Sequence, residues 1–496
     1  MRVDVTSNGL WLLGSNLTLA IVVAIGWIGA GPAAQAQPTL LAGALSTTVE
    51  DQADLAVTVY NTDLALVRDI RTLRLPDGTF DLRFEDIAGS VNPATVHVRS
   101  LSQPDRLRVL EQNFEYDLLD PDKLLRKYVG RDVTLVRTRQ EDGSSRNEEV
   151  QARLLAFNEG PVWQIGDEIV TGLRSDYLRF PTLPENLYDR PTLIWTLGNS
   201  GASDHRVEAS YLAGRVSWAA DYVLTIARDA ATADLDGWVT LTNESGTAFM
   251  NASLQLVAGD LNRVVQQSAR RMAQAEALQA VPAAPAFQQE AFADYHLYTL
   301  GRRTSIRNHE TKQLSLLAGS GIPTIKRFVV EGRQAYYRNA QHPGSPLRDA
   351  VQVQYRLRND GASGLGTPLP AGIVRVYQAD SSGRIQFAGE DRITHTPKDE
   401  LLTLHVGNAF DVVCERRQTD FERLGDSTYE LAFEIVLRNH KPTPIEVELH
   451  EPLGGDWRML ESTHEVTRTS AWSAQFTVPV EANGTTQVGY RVRVRW

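Results

Sequence analysis

Seven ionisable side chains crowd into one short stretch: Glu390, Asp391, Arg392, His395, Lys398, Asp399 and Glu400. Two carboxylate pairs flanking a histidine could bind a divalent cation, or supply an acid and a base for proton transfer. Adjacent side chains on an extended chain point to opposite faces, so at most one carboxylate of each pair can converge on a ligand. Glu390, Asp391, His395 and Asp399 are the candidate catalytic residues, with only one of Glu390 and Asp391 able to face the same ligand as His395. The competing reading is a solvated, salt-bridged loop.

Other signatures of chemistry are missing. The sequence holds no His-Glu-x-x-His, no Gly-x-Ser-x-Gly, no phosphate-binding Walker loop and no paired-cysteine zinc pattern, and no cofactor is implied. Gly361-Ala362-Ser363-Gly364-Leu365-Gly366 is glycine-rich but lies between strand patterns and opens no helix, which marks a hairpin loop rather than a phosphate cradle. The single cysteine, Cys414, falls in the strand-like run Val412-Val413-Cys414-Glu415 and reads as a small buried hydrophobe. His205, His296, His309 and His342 are scattered without ligand spacing. Trp163, Trp195, Trp218, Trp238, Trp457 and Trp472 lie in or beside strands, where they could line a carbohydrate-binding face. Tryptophan on a sandwich strand more often belongs to the core.

The elements that would position these residues follow a period of two. Leu55–Tyr60, Leu64–Leu75 and Phe80–Phe84 alternate, with Pro76-Asp77-Gly78 as a turn, and predict an antiparallel opening meander. Asp120-Pro121-Asp122 caps a short helix over Asp122–Val129, which Gly130 ends. Short strands follow it to about Val170, an order that resembles a small Sm-like barrel in fold only. From Pro191 onward, strands end repeatedly in Leu-x-Asn: Leu197-Gly198-Asn199, Leu241-Thr242-Asn243, Leu357-Arg358-Asn359 and Leu437-Arg438-Asn439. Asparagine suits such turns because its side chain bonds nearby backbone, and the last two copies suggest paired β-sandwich modules. Val264–Ala280, rich in Ala, Gln and Arg, predicts an exposed helix or linker that Pro282 ends.

At the start of the chain, the apolar run Leu17–Ile28 is too short to span a membrane comfortably. Gly31 and Pro32 break it, and Ala34-Gln35-Ala36 has the small residues a signal peptidase accepts. Residues 1–36 are predicted to be a signal peptide, with an uncleaved anchor over Trp11–Ile28 as the rival. A formal charge of −11 opposes phosphate backbones, so no nucleic acid partner is expected. One thiol cannot form an internal disulfide, which leaves stability to packing.

Several blocks carry a family resemblance. Glu111–Asp117, Val207–Tyr222 with Ser217–Tyr222, Gly237–Val264 with Val257–Asp260, and above all Pro368–Gly372 through Glu390-Asp391-Arg392 to Thr396–Glu400, resemble an exported bacterial family described only as a domain of unknown function. The C-terminal region is similar to mucoidy-inhibitor-A-like proteins. The resemblance runs from about Leu55 to Trp496. It implies an exported β-rich protein without established activity and supplies no catalytic residues.

The predicted fold is mainly β and multi-domain: antiparallel, immunoglobulin-like β-sandwich modules with a small Sm-like barrel and one Ala/Gln-rich helix or linker. The expected divisions are a signal peptide (1–36), an N-terminal antiparallel β region (37–118) and a helix-plus-barrel subdomain (119–185). A central β domain (186–345) with a helical or disordered insertion at 264–292 and a C-terminal β-sandwich (346–496) complete them. The expected function is that of a periplasmic or extracellular scaffold, not integral to the membrane once cleaved, binding an envelope protein or polysaccharide. The alternative is a hydrolase or metal-dependent enzyme centred on residues 390–400.

Overall fold

Along Gln52–Tyr60, Leu55, Val57 and Val59 turn inward and the residues between them stay half-exposed, the alternation that a pleated strand with one buried face requires. The same rule operates throughout the computed structural model, which describes residues 45–115, 120–141, 144–158, 160–173, 175–182, 184, 190–259, 287–341 and 346–496. Strand accounts for 66% of the described residues and helix for 5%, which makes the chain mainly β. The expected signal segment 1–36, His342 and the stretch 264–286 of the Ala/Gln-rich insertion lie outside the described residues. The last part of that expected insertion, Phe287–Phe292, is neither helical nor disordered: it forms a strand paired with Tyr295–Leu300 at the edge of a sheet, where the hairpin supplies its backbone partners.

Two sheets build the N-terminal sandwich. One orders Leu45–Thr47, Gly78–Glu85, Thr192–Asn199 and Leu107–Glu115. The other runs from Phe287–Phe292 through Tyr295–Leu300, Phe249–Ala258, Gln52–Tyr60, Leu64–Arg74 and Asp204–Gly214 to His97–Ser100. Leu82, Phe84, Leu193 and Trp195 of the first share a core with Val57, Val67, Val207 and Ala209 of the second. Each large apolar side chain so buried contributes about 1.5–3 kcal/mol.

The 119–185 subdomain has its helix at Pro121–Lys127, where the Asp120 carboxylate accepts the Lys123 N–H at 2.9 Å and the proline occupies the first turn. Leu125 and Tyr128 pack on Val133, Leu135, Leu154 and Trp163. Its five strands order as Glu168–Thr171, Pro161–Ile165, Ser144–Phe157, Asp132–Glu141 and Tyr177–Arg179. This corrects the expected barrel: the sheet is open, because its edge strands of four and three residues are short and do not pair with each other.

The two larger modules share one topology. In the central one, the hairpin Val216–Ile226 and Thr232–Asn243 pairs through its second strand with Glu310–Glu331. In the C-terminal one, Val412–Arg423 and Thr428–Asn439 pair likewise with Thr485–Arg495. After the asparagine, Phe249–Ala258 and Ile445–Pro452 each run parallel to an earlier strand and antiparallel to a later one. Glu310–Glu331 belongs to both modules. Leu314, Leu316 and Ile322 enter the first core, and Phe328 and Val330 the second. Residues from 352 to 404, including Tyr355, Val374 and Leu404, also pack into the first core.

All four asparagines of the Leu-x-Asn repeat are buried, and they fasten separate strand ends together. Asn243 Nδ2 donates to the carbonyls of Thr247 (2.9 Å), Ile306 (3.4 Å) and Arg307 (3.0 Å), while its Oδ1 accepts the Ser245 N–H at 3.0 Å. Asn439 repeats this on Thr443 (2.9 Å), Val480 (3.4 Å), Glu481 (3.0 Å) and the Lys441 N–H (3.0 Å). Asn199 reaches Leu75, Pro76 and Ala202 in the same manner, and Asn359 reaches Thr367 and Pro397.

Candidate functional site

Strand Ile385–Ile393 carries Glu390 and Asp391 to opposite faces, as alternation demands. Glu390 Oε2 lies 3.5 Å from Arg375 Nε. Asp391 Oδ2 accepts the His405 N–H at 2.7 Å, and Oδ1 accepts the Arg392 N–H at 2.8 Å. His395 is exposed and its Nδ1 accepts the Ala371 N–H at 3.1 Å. Asp399 occupies the left-handed region, φ 67°, in a turn organised by Asn359: the Asp399 N–H donates to the Asn359 carbonyl at 2.7 Å, and the Asn359 N–H to the Glu400 carbonyl at 2.9 Å. Arg392, Lys398 and Glu400 are exposed. None of the four candidates is hydrogen-bonded or ion-paired to another. Among the described residues, no three His, Cys, Asp or Glu side chains are grouped to hold a metal ion.

The glycine-rich loop is likewise taken up by structure. Asp360 caps a single 3-10 turn over Gly361–Ser363, and Ser363 Oγ, itself buried, donates within the loop to carbonyls at 2.7 and 2.8 Å. Gly366 has φ 76°, and a side chain there would meet the Gly361 nitrogen at 2.8 Å.

A nucleophile, a base and an orienting amide do meet elsewhere. Ser100 Oγ is 2.9 Å from His205 Nδ1, and His205 Nε2 is 3.2 Å from Asn199 Oδ1. The Asn199 amide is oriented by the carbonyls its nitrogen serves, so in the neutral imidazole Nε2 donates to Asn199 and Nδ1 accepts from Ser100. The geometry resembles a hydrolase relay, but Ser100 and His205 are each 1% exposed and Asn199 3%. No substrate carbonyl can reach the hydroxyl, and the relay serves to satisfy buried polar groups.

A buried ionic cluster lies in the C-terminal core. Arg416 donates to Asp349 (2.8 Å), to both Glu451 oxygens (2.6 and 3.1 Å) and to the Tyr490 hydroxyl (3.2 Å). Tyr337 donates to Glu451 and lies 2.8 Å from the Tyr490 hydroxyl, and Tyr336 donates to Asp349 at 2.7 Å. Burial disfavours the Arg416 charge, but Glu451 more than offsets this and holds it ionised. Burial pushes the neighbouring Cys414 thiol up to about 12, so Cys414 is inert at neutral pH. Arg71 is buried in the same fashion, donating to Asp69 at 2.9 Å and to the Thr47 and Glu85 carbonyls at 2.8 Å, with Phe84 3.6 Å beneath it. Sequence reasoning passed over both arginines, although the signal was present. Val412, Cys414 and Arg416 share one face of a strand, as do Val67, Asp69 and Arg71.

On the outer face, His450 joins Glu331 (2.9 Å) and Glu448 (3.4 Å), and Arg356 and Arg327 also reach Glu448. This group was also missed, because its members come from strands far apart in sequence. The hydrogen bond that His450 donates to Glu331 raises the His450 pKa.

Two concavities deserve chemical scrutiny. A polar dish of about 630 Å³ lies over Ala432 and Gly489, rimmed by Thr419, Glu434, Glu461 and Arg491. Two of its charges are engaged: Glu434 with Arg417 at 3.0 Å and Arg491 with Asp420 at 2.8 Å. An apolar pocket of about 260 Å³ lies between Phe287, Tyr298, Leu316 and Leu365. Neither is lined by Glu390, Asp391, His395 or Asp399. Of the tryptophans, Trp163, Trp195, Trp218 and Trp457 are core residues, Trp238 is half-buried, and Trp472 is 66% exposed. Among the described residues, no helix is long and apolar enough to cross a membrane. No known protein family matches the chain, and no curated protein resembles it significantly.

Proposed function

We propose that the chain is an exported β scaffold of the bacterial envelope, periplasmic or extracellular, that binds a protein or a cell-wall polymer and performs no reaction of its own. The observation that carries this reading is the employment of its polar side chains. Asp391 and His395 cap backbone N–H groups, Asp399 lies in a turn that Asn359 organises, and the Ser100–His205 pair is sealed in the core. General acid–base catalysis needs a group free to meet substrate, and the Asp391, His395, Ser100 and His205 side chains are engaged in backbone or core hydrogen bonds, while Glu390 lies 3.5 Å from Arg375. Export rests on the apolar run and small-residue site within residues 1–36, and the resemblance of 368–400 to an exported family agrees with it.

The competing reading is a hydrolase or metal-dependent enzyme at residues 390–400. A deletion strain complemented by the chain with Glu390, Asp391, His395 and Asp399 all replaced by alanine separates the two. The scaffold reading predicts full complementation. Loss of complementation with an unchanged melting temperature would return the site to catalysis, because losing a general acid or base costs about 10²–10⁴ in rate.

A further inference from the structure

We infer that Trp472 is the stacking platform of a carbohydrate site at one end of the C-terminal sandwich, suited to a pyranose polymer that bears carboxylates. This rests on the binding reading above and names its ligand class.

Trp472 stands at the tip of the hairpin formed by Val466–Ser470 and Ser473–Val480. The tip is rigid. The Trp472 N–H donates to Ser470 Oγ at 3.1 Å, and Ser473 Oγ lies 2.6 Å from Ser470 Oγ and 2.8 Å from Thr469 Oγ1. Two further bonds tie it to the body of the sandwich. Gly454 N–H donates to the Trp472 carbonyl at 3.1 Å, and Trp457 Nε1 donates to the Ala471 carbonyl at 3.0 Å. Gly454 is needed there, because with φ 60° a side chain would meet the Trp496 ring at 2.2 Å. A backbone held by such a frame loses little conformational freedom on binding, which is where preorganised sites gain affinity.

The surroundings decide the kind of partner. Neither the hairpin 466–480 nor the residues bonded to its tip, Gly454 and Trp457, hold another exposed large apolar side chain. A protein interface centres on a contiguous apolar patch. Here one flat ring is surrounded instead by the hydroxyls of Thr469, Ser470 and Ser473, which suits a pyranose whose C–H face lies on the indole while its hydroxyls bond at the rim. Charge narrows the class. Arg468 stacks on Trp457 and Arg338 on Trp496, each 4.2 Å from the ring, and neither forms an ion pair with a described carboxylate. Arg468 Nη2 donates to the Trp457 carbonyl at 3.2 Å, and the remaining N–H groups of the two guanidiniums can serve an anionic group on the ligand.

Co-sedimentation of the full chain with purified peptidoglycan sacculi, and in parallel with cellulose as a neutral pyranose polymer, tests this. Retention on sacculi is expected to exceed retention on cellulose. Trp472→Ala is expected to weaken sacculus binding about tenfold or more, the effect of removing an aromatic anchor, with no change in melting temperature. Phe410→Ala, which removes a ring 95% exposed elsewhere, is expected to leave binding unchanged. Equal retention of wild type and Trp472→Ala, or retention of neither, overturns the inference, and equal retention on the two polymers overturns the carboxylate preference. Failure of the quadruple alanine variant in complementation would instead remove the non-enzymatic reading and leave the sacculus result standing.

Discussion

Asn439 Nδ2 donates to the Glu481 carbonyl at 3.0 Å, and Asn243 Nδ2 meets the Arg307 carbonyl at the same distance in the central module. Each asparagine joins the strand it ends to the end of a strand tens of residues away, so the repeated motif is a tertiary fastener. Removing it strands buried carbonyls and one N–H without partners. Asn439→Ala should therefore cost about 2–4 kcal/mol, several unsatisfied groups at about 1–3 kcal/mol each with partial relaxation. Urea denaturation measures it. A change below about 0.5 kcal/mol, the range of neutral surface substitutions, would show the fastener is dispensable.

Arg416 is the sole cation in its buried cluster. Arg416→Met leaves Asp349 and Glu451 without their counter-charge and should cost about 3–5 kcal/mol, while Tyr337→Phe, which removes one donor to Glu451, should cost about 1–3 kcal/mol. Thermal melts of the two variants should keep that order. The reverse order would mean that the tyrosine hydroxyls, rather than the guanidinium, hold the carboxylates.

His450 makes stability depend on pH. Its folded pKa lies above the unfolded value of about 6.5, because Glu331 and Glu448 favour the charged ring. The stabilisation is fully present below the unfolded pKa and disappears as pH rises through the folded one. Melting temperatures of wild type and His450→Gln should differ most near pH 5.5, below the unfolded pKa, and converge as pH rises past the folded one. A gap that widens with pH would contradict the assignment.

Cys414, with its thiol pushed up to about 12 by burial, should resist an aromatic disulfide reagent in the native protein and react fully once guanidinium unfolds the chain. Rapid native labelling would show that the C-terminal core opens readily.

Alternation along strands such as Gln52–Tyr60 made the β class legible in the sequence, and the Asp120-Pro121 cap made the short helix legible. The Leu-x-Asn motif was visible as well. Its role was not, because the carbonyls it serves, such as Val480 and Glu481, come from strands remote in sequence. For the same reason the parallel pairing of Phe328–Glu331 with Val447–His450 left no local sign. The module boundary expected at 345 lies beyond a single strand, Glu310–Glu331, that enters both cores, since hydrophobic alternation does not record which sheet a strand joins. At the candidate site, the density of charge between Glu390 and Glu400 was plain. That Asp391 and His395 meet separate backbone N–H groups depends on register, which composition does not encode.

The central claim, binding rather than catalysis, is tested most directly by complementing one deletion strain with two variants side by side. The chain lacking Glu390, Asp391, His395 and Asp399 side chains should restore the wild-type phenotype, and the chain carrying Trp472→Ala should not, with both melting at the wild-type temperature. Restoration by Trp472→Ala together with failure of the quadruple variant would contradict the account and place the activity of this protein in the 390–400 segment.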